Sequence, residues 1–84
     1  MIKFNRAVWR IMPMILRYYS INKMCEKYGC TIFKYPYIRS AHEVDVWYKS
    51  GGEIVGYVGS VNPRDYWENI ENTVISYSVI RMFQ

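Results

Sequence analysis

The stretch Glu43-Val44-Asp45-Val46-Trp47-Tyr48-Lys49-Ser50-Gly51-Gly52-Glu53-Ile54-Val55-Gly56-Tyr57-Val58-Gly59 decides the fold. Val44, Val46 and Tyr48 alternate with Asp45, Trp47 and Lys49, the period-two pattern of a half-buried strand. Ser50 to Glu53 is a tight turn in which Gly51 and Gly52 supply positive φ. Ile54, Val55, Tyr57 and Val58 return as the partner strand, so residues 43–59 are predicted to form a β-hairpin. Gly56 and Gly59 mark strong twist or a close approach to the backbone.

Upstream of the hairpin, residues 30–37 alternate in the same way, with Thr31, Phe33, Tyr35 and Tyr37 on one side. Pro36 lacks an N–H, which assigns this strand to a sheet edge or to a bulge. Residues 38–42 form a loop. Before them, Met14, Tyr18, Ile21, Cys25 and Tyr28 recur at helical spacing after Pro13, which suits the first turn of a helix. Gly29 is the expected stop. Arg17, Lys23 and Lys27 fall off the apolar stripe, toward water or a ligand. Residues 4–12 form either another turn of helix or an arm; periodicity does not decide.

Downstream, Asn62-Pro63 reads as a helix start, with Asn as the cap and Pro at the first helical position. Trp67, Ile70, Val74 and Tyr77 then give a buried stripe. Residues 74–80 are rich in β-branched side chains and could finish as a strand; the stripe favours helix. The fold class is therefore α+β, in the order α-β-β-β-α. A three-stranded antiparallel sheet packs on two helices within one domain of 84 residues, the first 13 being a candidate arm.

Charge divides this chain. Residues 1–39 hold eight of the eleven Lys and Arg and one acid, Glu26; residues 40–84 hold three basic residues and six acids. The halves carry formal charges of +7 and −3. Aromatic residues run through the basic half, as in Lys34-Tyr35-Pro36-Tyr37-Ile38-Arg39. Cations neutralise phosphates and flat rings stack on unpaired bases, so this mixture points first to nucleic acid, RNA or DNA, with RNA the expected partner. Arg17, Lys23, Lys27, Lys34 and Arg39 are the expected phosphate contacts, with Tyr35 and Tyr37 stacking and His42 a peripheral contact. Trp47, Tyr57 and Tyr66 are the candidates for a protein interface, because large rings dominate interface energetics. A homodimer would add buried area that so small a chain lacks.

Other classes are disfavoured. Cys25 and Cys30 are the only cysteines, and with one distant His they do not make a zinc site. Two reduced thiols in a cytosolic core fit better, and no cofactor is expected. The apolar run at residues 11–16 is bracketed by Arg10 and Arg17 and is too short to span a bilayer. No membrane partner is expected, and the predicted location is cytoplasmic. The basic, acid-free, amphipathic N-terminus also fits the description of a mitochondrial presequence, though only Ser20 there is hydroxylated.

The element order, with Asn22-Lys23-Met24-Cys25-Glu26-Lys27-Tyr28-Gly29, Ser40-Ala41-His42 and the glycine rhythm of the hairpin, resembles the double-stranded-RNA-binding domain. In that family, the loop before the hairpin enters a minor groove and a lysine cluster opens the last helix. Here the corresponding segment is Asn62-Pro63-Arg64-Asp65-Tyr66-Trp67-Glu68, with two acids and one cation, so the resemblance implies the fold without that phosphate grip. The same order is similar to HicA-type toxin ribonucleases, whose Gly-Ser-His motif would fall on Ser40-Ala41-His42. The Gly and Ser are displaced or replaced there, so His42 is not expected to be catalytic and the protein is not expected to be an enzyme. By size, basic character and residue usage the chain also resembles counter-defence proteins of tailed phages. These include toxin inhibitory factors that bind RNA and neutralise type III RNase toxins. That resemblance implies a phage-encoded inhibitor acting on a host RNase toxin, in the host cytoplasm. The alternatives are a protein-only inhibitor and a HicA-like ribonuclease.

Overall fold

A computed structural model describes residues 4–33 and 43–82. The elements are α1 (Arg6–Ile11), α2 (Met14–Lys27), β1 (Cys30–Phe33), β2 (Val44–Ser50), β3 (Glu53–Val61) and α3 (Trp67–Met82). The sheet is antiparallel throughout, in the order β1-β2-β3. Apart from the short additional helix α1, this is the expected α-β-β-β-α architecture.

The hairpin forms as its sequence dictates. Ser50 pairs with Glu53, and Gly51 and Gly52 lie at φ +57° and +85°. Positive φ at both central residues matches the twist of the flanking strands. The register from Val46↔Gly59 to Trp47↔Tyr57 passes over Val58, and that from Tyr48↔Gly56 to Lys49↔Ile54 passes over Val55. Each extra residue is a bulge that bends β3 and resets its alternation. Val44 and Val46 remain on the buried side, against the helices.

Glycine acts by close approach at one position. A Cβ on Gly59 would lie 2.6 Å from the Tyr77 hydroxyl oxygen, whereas one on Gly56 would meet nothing within 4 Å. Tyr77 lies against β3 and donates its hydroxyl to the Ser60 carbonyl at 2.9 Å. Tyr48 in turn donates to the Tyr77 carbonyl at 2.8 Å, tying α3 to β2.

At the other edge of the sheet, Gly29 at φ +72° ends α2 and sends the chain back along it as β1. The Asn22 side-chain oxygen accepts from the Ile32 N–H at 3.3 Å. This satisfies a donor on the outer edge of β1 that would otherwise lack a partner strand. The remainder of the strand expected over residues 30–37, and the loop at 38–42, lie outside the described residues.

Residues 4–12 fold onto the core instead of forming an arm. Asn5 caps α1 by accepting from the Val8 N–H at 2.8 Å. Trp9 is 2% exposed, and its ring lies 5.1 Å from that of Trp67, with Phe4 beside both. Trp9 Nε1 donates to the Asp65 carbonyl at 2.7 Å.

The expected start of the last helix is corrected. Asn62 does not cap it; its side chain accepts from the Arg64 N–H and its carbonyl from the Asp65 N–H, which closes a turn. Pro63 is buried within that turn. The first helical bonds run to the Tyr66 carbonyl, so α3 begins at Trp67. Its β-branched run stays helical because Trp67, Ile70 and Val74 bury one stripe, outweighing local propensity.

Candidate nucleic-acid interface

α2 separates its cations into two kinds. Arg17 was expected to face water or a ligand, and it does not. Its Nε donates to the Met12 carbonyl at 3.0 Å, Nη1 to Pro63 at 3.1 Å and Nη2 to Arg10 at 2.7 Å. The guanidinium also lies 5.4 Å from the centre of the Trp9 ring. A rigid fork of donors suits this task, because it can hold three carbonyls at once. Arg17 therefore clamps the α1–α2 elbow to the turn before α3.

Lys23 and Lys27 are exposed. Together with Tyr19, 61% exposed, they occupy i, i+4 and i+8 and so form one ridge along α2. Lys23 Nζ lies 5.6 Å from the Tyr19 ring centre and 3.9 Å from a Glu26 carboxylate oxygen. At that distance on the surface the ion pair is weak and leaves the ammonium available. Tyr19 was absent from the expected set, although its spacing of four and eight residues from the lysines was readable. Lys34, Tyr35, Tyr37, Arg39 and His42 lie outside the described residues.

The outer face of the hairpin has the opposite character. Trp47 is half-buried and Tyr57 is 55% exposed; the register pairs them, and their rings meet edge to face at 5.2 Å. The Tyr57 hydroxyl is held above its ordinary pKa, first by desolvation and then by the charges of Asp45, Tyr77 and Glu43. Negative charge beside this pair opposes phosphate and favours a protein or neutral partner. An open depression of about 500 Å³ adjoins it, lined in part by Tyr48, Gly56, Tyr57, Tyr77 and Ile80.

Tyr66 is claimed by its own chain. The Arg6 guanidinium lies 4.1 Å from its ring centre, and Arg6 also donates through Nε and Nη2 to one Glu68 oxygen at 3.0 and 2.9 Å. That hydrogen-bonded pair lowers the Glu68 pKa and raises that of Arg6.

Neither thiol is placed for chemistry. Cys25 and Cys30 are free and fully buried, and burial pushes the Cys25 pKa up to about 12, with the neighbouring Cys30 and Glu26 adding to the rise. A thiol held protonated is a poor nucleophile and metal ligand. Among the described residues no group of three His, Cys, Asp or Glu could hold a metal ion.

The fold and its surfaces thus define a small α+β domain whose element order is compatible with the double-stranded-RNA-binding arrangement. The chain matches no known family, no curated protein and no solved structure.

Proposed function

We propose that this protein binds RNA through the exposed ridge of α2, Tyr19, Lys23 and Lys27, extended by Lys34, Tyr35, Tyr37 and Arg39 in the basic segment that follows β1. One observation carries this reading: two lysines and a tyrosine stand one turn apart on a surface whose sequence holds a single acid before residue 43. Lysine ammoniums supply the phosphate contacts and the tyrosine rings supply stacking surfaces for unpaired bases. Arg17 plays no part in this, because its donors are committed to carbonyls. In its finer form, the protein is a phage-encoded counter-defence inhibitor in the host cytoplasm, and the bound RNA is what brings it to an RNase toxin.

Gel-shift titration against total RNA at two salt concentrations tests the reading. Affinity should fall steeply with salt, and each cation removed should reduce the slope of log affinity against log salt by about 0.7 on single strands. Lys23→Glu with Lys27→Glu should weaken binding at least roughly tenfold with the fold unchanged. Absence of a shift at low salt would sink the proposal. The protein-only alternative rests on Trp47 and Tyr57: it predicts a partner that survives nuclease treatment and is lost on Trp47→Ala.

A further inference from the structure

The α1–α2 elbow carries aliphatic side chains where a folded domain gains nothing from them. Ile11 is 82% exposed and Ile15 67%, with Val8, Leu16 and Tyr19 exposed beside them in sequence. Val8 and Ile11 are three apart on α1; Ile15, Leu16 and Tyr19 are three and four apart on α2, so each set shares a helix face. Pro13 joins the two, its carbonyl accepting from the Leu16 and Arg17 N–H groups at 3.0 and 3.1 Å. Singly exposed apolar residues need no explanation, but a cluster marks an interaction surface.

The corner is also held ready. Arg17 grips the Arg10 and Met12 carbonyls on one side of it and the Pro63 carbonyl on the other. Trp9 fixes α1 from beneath. The exposed cations of this region are Arg10 and Lys23, the first 25 residues contain no acid, and the exposed acids that border it, Glu26, Asp65 and Glu68, each have a partner of their own.

We propose that this elbow docks on the surface of an anionic lipid bilayer, with Ile11, Ile15 and Leu16 entering the headgroup region and Arg10 and Lys23 facing lipid phosphates. Among the described residues no helix is long and apolar enough to cross a membrane. Docking in the interface plane has a different requirement: an apolar face flanked by cations. Charge complementarity selects the occupant. A second copy packed here would bring together two surfaces that both carry Arg10 and Lys23, like charge facing like charge. Such exposed aliphatic side chains would need a matched pocket in a protein partner, whereas a fluid bilayer deforms around them.

The test is co-sedimentation of the full chain with vesicles of phosphatidylcholine alone and of phosphatidylcholine mixed with phosphatidylglycerol. Binding is expected to the mixture at low salt and not to the neutral lipid. Ile11→Ser with Ile15→Ser leaves the charge unchanged and should weaken vesicle binding by roughly tenfold or more. The same variant should keep the wild-type circular dichroism spectrum and the RNA gel shift, since the proposed RNA contacts do not include either isoleucine. Failure to bind the anionic vesicles would overturn the proposal. Undiminished binding by the serine variant would overturn it too, since the basic half would then adsorb without the elbow. Sedimentation of the wild type as a dimer that the serine variant dissolves would assign the corner to a second copy instead.

Discussion

Trp9 and Trp47 lie on opposite sides of the sheet and do opposite work. Trp9 is sealed between Phe4 and Trp67, with its indole N–H spent on the Asp65 carbonyl. It holds a helix of six residues that could not persist alone. Trp47 stands on the outer face, half-buried, edge to face with an exposed Tyr57. One ring closes the domain from within, and the other lies half-buried on the outer face. The same division runs through the cations: Arg17 is consumed by carbonyls, while Lys23 and Lys27 extend from the ridge. Residue type therefore does not distinguish a binding group from a structural one here; the partner across the fold does.

The largest effect should separate the two tryptophans. Trp9→Ala removes a fully buried indole and strands the Asp65 carbonyl, a loss of about 3–5 kcal/mol. A domain of this length has about 4–12 kcal/mol in all, so the variant should be largely unfolded or melt far below the wild type. Trp47→Ala, at a half-buried site, should cost less than Trp9→Ala, within the about 0.5–3 kcal/mol usual for a single substitution. Urea denaturation of both variants checks this, and equal losses would erase the proposed distinction.

What the sequence made legible follows from the range of the forces involved. The hairpin was readable because its alternation and its Gly51-Gly52 turn are local. The stripe of α3 was readable because Trp67, Ile70, Val74 and Tyr77 keep helical spacing. Trp9 was not, because its burial depends on Trp67 and Asp65, more than fifty positions away in sequence. Arg17 failed for the same reason: its bond to Pro63 crosses 46 positions. The start of α3 was misread because Asn62-Pro63 suits a turn as well as a cap, and the tertiary bond from Trp9 fixes the turn. Of the candidate site, the ridge spacing was visible, but which cations remain available depended on contacts that no local pattern encodes.

Two glycines on the helix side of β3 extend the contrast to filled and open positions of one strand. Gly59→Ala would drive a methyl group into the Tyr77 ring, whose Cζ lies 2.7 Å from the Cβ position. The ring must shift, and its bond to the Ser60 carbonyl shifts with it. A loss of about 1–3 kcal/mol is expected for such overpacking. Gly56→Ala, three residues earlier in the same strand, meets open space and should change stability by no more than about 0.5 kcal/mol. Thermal melts of the two variants make the comparison directly. A tolerated Gly59→Ala would show that Tyr77 does not hold the sheet to α3.

The smallest effect concerns the outer fastening of α1, where Arg6 meets Glu68 while Trp9 holds the same helix from within. Both partners are well exposed, so the pair should contribute little beside the buried indole. Its signature is its pH dependence. The Glu68 carboxyl titrates below its ordinary value of 4.5 in the folded chain, first because of the hydrogen bond from Arg6. A depressed folded value means that its contribution is complete above 4.5 and is lost as pH falls through the folded value. Glu68→Gln should therefore melt slightly below the wild type at neutral pH, and the difference should vanish in acid. The difference should also shrink in about 1 M salt, where exposed charges are screened. A gap between the two melting curves that persists in acid and in salt would mean that the residue acts by packing, with the charge on Arg6 adding nothing to the hold on α1.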